Sequence, residues 1–162
     1  MKKALLLLIL GLGLVAIAVA GIDFSGTWAI NTEKTAAANP APPGGGGGGG
    51  GRGGGMGGGE MTIKQTGNEL SITQTRGQNT VETRYTMDGE EHSAEAQGGT
   101  MKYKAVLSGD TLTITGTRTT QRGESPINTK YTLSADGKSL TMTNVMNMGG
   151  NSMERKSIYD KK

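Results

Sequence analysis

From Glu60 to Tyr159 apolar and polar residues alternate with a period of two, and Gly, Asn and Asp interrupt the alternation at short intervals. Met61 and Ile63 alternate with Thr62 and Lys64 up to Gly67-Asn68; Leu70 and Ile72 alternate with Ser71, Thr73 and Thr75 up to Arg76-Gly77. Val81, Tyr85 and Met87 lead to Asp88-Gly89, and Glu91 to Gln97 forms a weaker segment. Met101, Tyr103, Ala105 and Leu107 precede Gly109-Asp110; Leu112 and Ile114 follow. Tyr131 and Leu133 stand before Asp136-Gly137, Leu140, Met142 and Met146 after it, and Met153 and Tyr159 after Gly149-Gly150. Alternation of this kind marks strands with one buried face, and Asx/Gly turns between them mark hairpins. With an apolar segment over residues 22–31, the pattern predicts nine strong strands and a weak tenth.

The opposite parity is Thr, Ser, Lys and Glu, so one face is wet, which excludes a membrane-spanning barrel with its apolar exterior. No helical period follows residue 20. The predicted fold is all-β, a single up-and-down antiparallel barrel of 8–10 strands, because closure removes exposed edges. A two-sheet sandwich has the same alternation; uninterrupted hairpins favour the meander.

Two segments stand outside this pattern. Residues 1–20 carry Lys2 and Lys3, an aliphatic run from Ala4 to Ile17 and a small-x-small end at Ala18-Val19-Ala20, the arrangement of a signal peptide. Export to the periplasm or the extracellular space is therefore expected. Residues 36–59 carry Pro40, Pro42 and Pro43, then glycine broken only by Arg52 and Met56. Chain entropy at that glycine density predicts a disordered linker. It separates a first strand region (21–35) from the rest of the barrel (60–162).

Removal of Lys2 and Lys3 takes the 17 basic residues to 15 against 14 acidic ones. This balance offers nothing to nucleic acid. Cysteine is absent, so no disulfide supports the exported chain. No further membrane contact is expected after cleavage, and the barrel is expected to be a monomer.

The only Phe and the only Trp fall in Asp23-Phe24-Ser25-Gly26-Thr27-Trp28. This Gly-x-Trp on a first strand resembles the opening of the calycin superfamily, the lipocalins and fatty-acid-binding proteins. Bacterial secreted lipocalin-like proteins of unknown function, whose mature chains often begin Phe-x-Gly-Thr-Trp, are the most similar class. The resemblance implies that Phe24 and Trp28 plug one end of the barrel. Arg155 through Tyr159 is similar to the closing strand of fatty-acid-binding proteins, whose Arg-x-Tyr grips a ligand carboxylate. Here Arg155 lies four residues before Tyr159, and the helix-turn-helix lid expected between the first two strands is replaced by the Pro/Gly segment.

Candidate chemistry is sparse. His92, the only His, sits among Glu90 and Glu91 and is expected to be solvated. No His pair or Cys offers a zinc site, and no enzyme activity or cofactor is expected. The inward parity is richer, with Gln65, Gln74, Arg76, Thr83, Arg118, Asn144 and Arg155 among apolar neighbours. Polar groups there need partners or a hydrated cavity. Arg76, Arg118 and Arg155 fall towards the end where the Gly-rich segment leaves and returns. They are either rim residues reaching water, with Arg155 stacked on Trp28, or a basic mouth for an anion. Gln74, Asn144 and Tyr159 complete the candidate ligand set. Met142, Met146, Met148 and Met153 suit an adaptable apolar surface and, as thioethers, Cu(I). The reading ranked first is a non-catalytic barrel for a small apolar or amphipathic ligand. Behind it stand a structural or interaction module with a packed interior, then Cu(I) binding.

Overall fold

The computed structural model describes residues 22–40, 59–76, 78–96, 98–148 and 151–162. The expected signal peptide (1–20) and the bulk of the expected linker (36–59) lie outside the described residues.

Ten strands form one antiparallel sheet: β1 (Gly26–Ile30), β2 (Glu60–Thr66), β3 (Glu69–Arg76), β4 (Asn79–Thr86), β5 (Glu91–Ala96), β6 (Gly99–Ser108), β7 (Thr111–Thr120), β8 (Gly123–Leu133), β9 (Ser139–Met148) and β10 (Asn151–Lys161). Their spatial order is β4-β3-β2-β1-β10-β9-β8-β7-β6-β5. All but one of the neighbouring pairs are consecutive in sequence, the exception being β1 on β10. This is the meander expected from the alternation, rolled into a nearly closed barrel.

The two edge strands, β4 and β5, are themselves consecutive and meet at a seam without a ladder. Tyr103 of β6 reaches across: its phenol oxygen accepts the Thr86 amide at 3.0 Å, and Tyr85 packs edge-on at 5.1 Å between ring centres. β6 and β7 press together behind Tyr103. A Cβ at Gly116 would collide with the Lys102 carbonyl and lie 2.8 Å from Tyr103 Cα, so only glycine fits there.

The core fills one end and runs along β2 and β6 as far as Met61 and Met101. Phe24, Trp28, Leu70, Leu112, Leu140 and Tyr159 are buried beside the turns that close β2–β3, β6–β7 and β8–β9. No polar or charged residue is buried among the described residues. The plug is tied down by Gln65. Its side chain accepts the Phe24 amide and donates to the Ile22 carbonyl, both at 3.0 Å, while its own amide donates to Ser25 Oγ at 3.0 Å. The Trp28 indole N–H donates to the Phe24 carbonyl at 3.1 Å. Gln65 is thus satisfied by backbone rather than by cavity water, and it leaves the list of candidate cavity residues. The cation over Trp28 is Lys161, 5.3 Å from the ring centre, not Arg155.

The first strand ends sooner than expected, at Ile30, and a helix follows. Helix α1 (Thr32–Ala38) overlaps the first residues of the expected linker. Asn31 caps it by accepting the Lys34 amide at 2.9 Å, and Ala36 to Ala38 favour helix intrinsically. Tertiary partners decide the rest. β1 pairs with β10 only from Tyr159 onward, which leaves the β10 edge open at Ile158 and Lys156. Thr35 and Asn39, one helical turn apart, close it. Thr35 Oγ1 accepts the Ile158 amide at 2.9 Å, and Asn39 exchanges bonds of 2.7 and 2.9 Å with the Lys156 carbonyl and amide. Among the described residues, a single short helix therefore stands between the first two strands.

Candidate functional site

Above the apolar plug the barrel holds a cavity of ≈ 220 Å³. On one wall stand Ile72 and Gln74 of β3 with Val81, Thr83 and Tyr85 of β4. On the other stand Arg118 of β7, Ser125 to Ile127, Thr129 and Tyr131 of β8, and Met142 and Asn144 to Met146 of β9. The floor residues Ile72 and Met142 are buried. Polar groups collect around and above them because β3, β7 and β9 become polar towards the ends farthest from the plug.

Arg118 is the distinctive group. It pairs across the sheet with Met101 and Ser125, and its Nε is buried with no hydrogen-bond partner. A guanidinium N–H left without an acceptor is costly. Opposite lies Tyr85, whose phenol burial pushes its pKa up to about 12, the nearby Arg118 charge working against that rise. Tyr85 is therefore a neutral hydrogen-bonding group at any ordinary pH. Thr129 donates to Asn144 Oδ1 at 2.8 Å, which orients that amide at the last rung between β8 and β9. Gln74 Nε2 lies 3.8 Å from Met61 Sδ.

Of the six expected ligand residues, Gln74, Arg118 and Asn144 line this cavity. Arg76 closes β3 at the same end of the barrel, paired with Asn79. Arg155 and Tyr159 are not among the lining residues. Arg155 is exposed, whereas Tyr159 is 2% exposed in the core. Four residues of strand separate them, about 13 Å, so they do not form a joint grip. Thr83, Tyr85 and Ser125 join the site through the parity of β4 and β8. Tyr85 and Tyr131 line the cavity without having been among the expected ligand residues, and Ser125 to Ile127 lie in a half of β8 that carries no apolar alternation to mark it.

The methionines divide. Met142 is buried and Met146 half-buried in the wall. Met146 is the cross-strand partner of Met153, which is 56% exposed. Met142 stands four residues from Met146 along β9, again about 13 Å. The Met148 side chain lies outside the described residues. His92 is not simply solvated. It sits half-buried on β5, its ring centre 5.7 Å from that of Tyr103, with Nε2 2.9 Å from both Asp88 carboxylate oxygens. It belongs to the seam. Glu82, as expected of the outer parity, faces out, bonding Ser71 Oγ and Arg84 Nε at 2.8 Å each.

The fold is of the calycin type. The barrel superposes on a structure titled REP1-NXSQ fatty acid transporter with a TM-score of 0.56 over 86% of this chain and 96% of that one, at 15% identity. It superposes on a secretory abundant heat soluble protein of Ramazzottius varieornatus with a TM-score of 0.51, over 86% of this chain and 94% of that one, at 17% identity. A zebrafish ileal bile-acid-binding protein in complex with cholic acid gives 0.50 over 64% of this chain and 72% of that one, at 21% identity. No family model matches the sequence, and no curated protein does.

Proposed function

We propose that this protein is an exported, non-catalytic barrel that binds a small amphipathic anion, with Arg118 as the anchor of the acidic group. One observation carries the reading: a buried guanidinium N–H without an acceptor lines a cavity whose floor is apolar. A carboxylate supplies the missing acceptor and an attached hydrocarbon covers Ile72 and Met142. Two of the similar structures bear titles naming fatty acid and bile acid, both amphipathic acids, which fits the same chemistry. Export follows from the leader pattern of residues 1–20.

The test is titration with a fluorescent fatty-acid analogue. Saturable binding is expected, weakened by salt through its charged component. Arg118→Gln should weaken it about 10- to 100-fold, as a charge-assisted hydrogen bond of about 1.5–3 kcal/mol is lost. Arg155→Gln should change it less than about threefold, since an exposed charge contributes under about 1 kcal/mol. Absence of saturable binding by any amphipathic acid would instead favour a structural module.

A further inference from the structure

β8 and β9 part company halfway along. Their ladder runs from Leu133↔Leu140 to Thr129↔Asn144 and stops there, although β8 begins at Gly123 and β9 continues to Met148. Above that rung β8 stays with β7 as far as Gly123, and β9 stays with β10 as far as Asn151. The wall is forked.

Pro126 accounts for the parting. β7 and β8 turn through two residues, with Thr120 opposite Gly123, so alternate β8 residues from Gly123 direct their amides at β7. The Leu133 amide bears this out by donating to the Asp110 carbonyl at 2.9 Å, on the β7 side. By the same count position 126 directs its backbone nitrogen at β9. Proline has no N–H to give there, and a proline inside a sheet is confined to an edge. Asn128, at the root of the fork, has a buried side-chain oxygen without a partner.

The lips of the fork are apolar. Pro126 and Ile127 form one and Val145 and Met146 the other, and all four line the cavity. Pro126 and Val145 fall on the outer parity, which among the described side chains of β8 and β9 is otherwise Glu124, Asn128, Lys130, Thr132, Ser139, Thr141 and Thr143. The two apolar exceptions stand on opposite sides of the gap, and both line the cavity. Inside, Ser125, Thr129, Asn144 and Arg118 are polar. The cavity volume of ≈ 220 Å³ is below the ~300 Å³ at which pockets begin to hold a drug-sized ligand.

From this arrangement, and resting on the reading of an amphipathic acid, we infer that the ligand is a single-chain carboxylic acid longer than the cavity. Its head sits inside at Arg118, and its tail leaves sideways between Pro126-Ile127 and Val145-Met146. The seam between β4 and β5 is not the passage, because Tyr103, Tyr85 and His92 fill it.

The probes are hexanoate, dodecanoate and dansyl-undecanoic acid, whose fluorophore is on the end opposite the carboxylate. Dansyl-undecanoic acid should bind about as well as dodecanoate, and its methyl ester much more weakly. Val145→Glu and Pro126→Glu should each weaken the two long probes tenfold or more, at about fourfold per methylene that loses its apolar contact. Both should weaken hexanoate by a clearly smaller factor than either long probe. Val106→Glu, at another exposed apolar position on the outer face, should alter none. Circular dichroism checks that each variant is folded. Equal losses for short and long acids, no effect at either lip, or exclusion of the dansyl probe while dodecanoate binds would overturn the sideways tail but leave the acid-binding barrel standing. Failure of all three acids to bind would overturn both.

Discussion

Replacing Gln65 by Leu tests whether one amide holds the plug in place. The substitution keeps side-chain size and removes both side-chain bonds to the segment before β1, those with the Phe24 amide and the Ile22 carbonyl. The bond from the Gln65 amide to Ser25 Oγ remains. A hydrogen bond contributes about 0.5–1.5 kcal/mol net, and each partner left unsatisfied in a buried place costs about 1–3 kcal/mol. Both partners are only part-buried, so the sum is placed at about 2–3 kcal/mol. Release of Phe24 would also loosen the Trp28 indole, which donates to the Phe24 carbonyl. Urea unfolding followed by circular dichroism should show a lower midpoint with an unchanged slope. Fluorescence of Trp28, the only tryptophan, should shift to the red in the folded variant as water reaches the ring. Gln65→Glu separates the two bonds: it keeps an acceptor for the Phe24 amide and sets a carboxylate against the Ile22 carbonyl. A loss under about 0.5 kcal/mol in Gln65→Leu, with unchanged emission, would refute the argument, since apolar packing alone would then hold the plug.

Trp28→Ala should cost about 3–5 kcal/mol in the same assay, because the ring is fully buried; a loss below about 1 kcal/mol would mean that it does not fill the core. Replacing residues 41–58 by a short Gly/Ser link should leave the midpoint nearly unchanged, loop closure varying only slowly with length, whereas extending the replacement back to residue 36 should lower it measurably by removing Asn39 from the β10 edge. The Asp160 carboxylate, bonded first by Lys34 and then by Asn31 and Ser139, has its pKa lowered from 3.8 to about 2. Its stabilising contribution is complete above about pH 4 and lost as the pH falls towards 2, so Asp160→Asn should flatten the acid limb of a thermal-midpoint against pH curve relative to the parent; superimposable acid limbs would contradict it.

The strand meander was legible because a residue's face alternates with period two whatever lies around it. Asx/Gly turns punctuate that alternation, and together they brought out ten strands and the outward set of Glu82, while the burial of Trp28 came from the resemblance of its Gly-x-Trp. Inward parity says which side a residue faces, not what it meets there. Gln65 and Gln74 share that parity, yet one ties down the plug and the other lines the cavity, because height in the barrel depends on strand tilt and on the register with neighbours far along the chain. The Arg155–Tyr159 expectation failed for the same reason: equal parity does not bring together residues about 13 Å apart along a strand. Helix α1 was hidden because seven residues do not hold a helix by themselves. It exists where β1 stops short and leaves the β10 edge open, a fact that only the paired sheet contains. Pro126 was visible throughout as a residue without an N–H, but its consequence requires knowing which neighbour that missing N–H would have faced. The chain's local chemistry decided what kind of surface each strand carries; the closing of β1 onto β10 decided which of those surfaces became plug, cavity and fork.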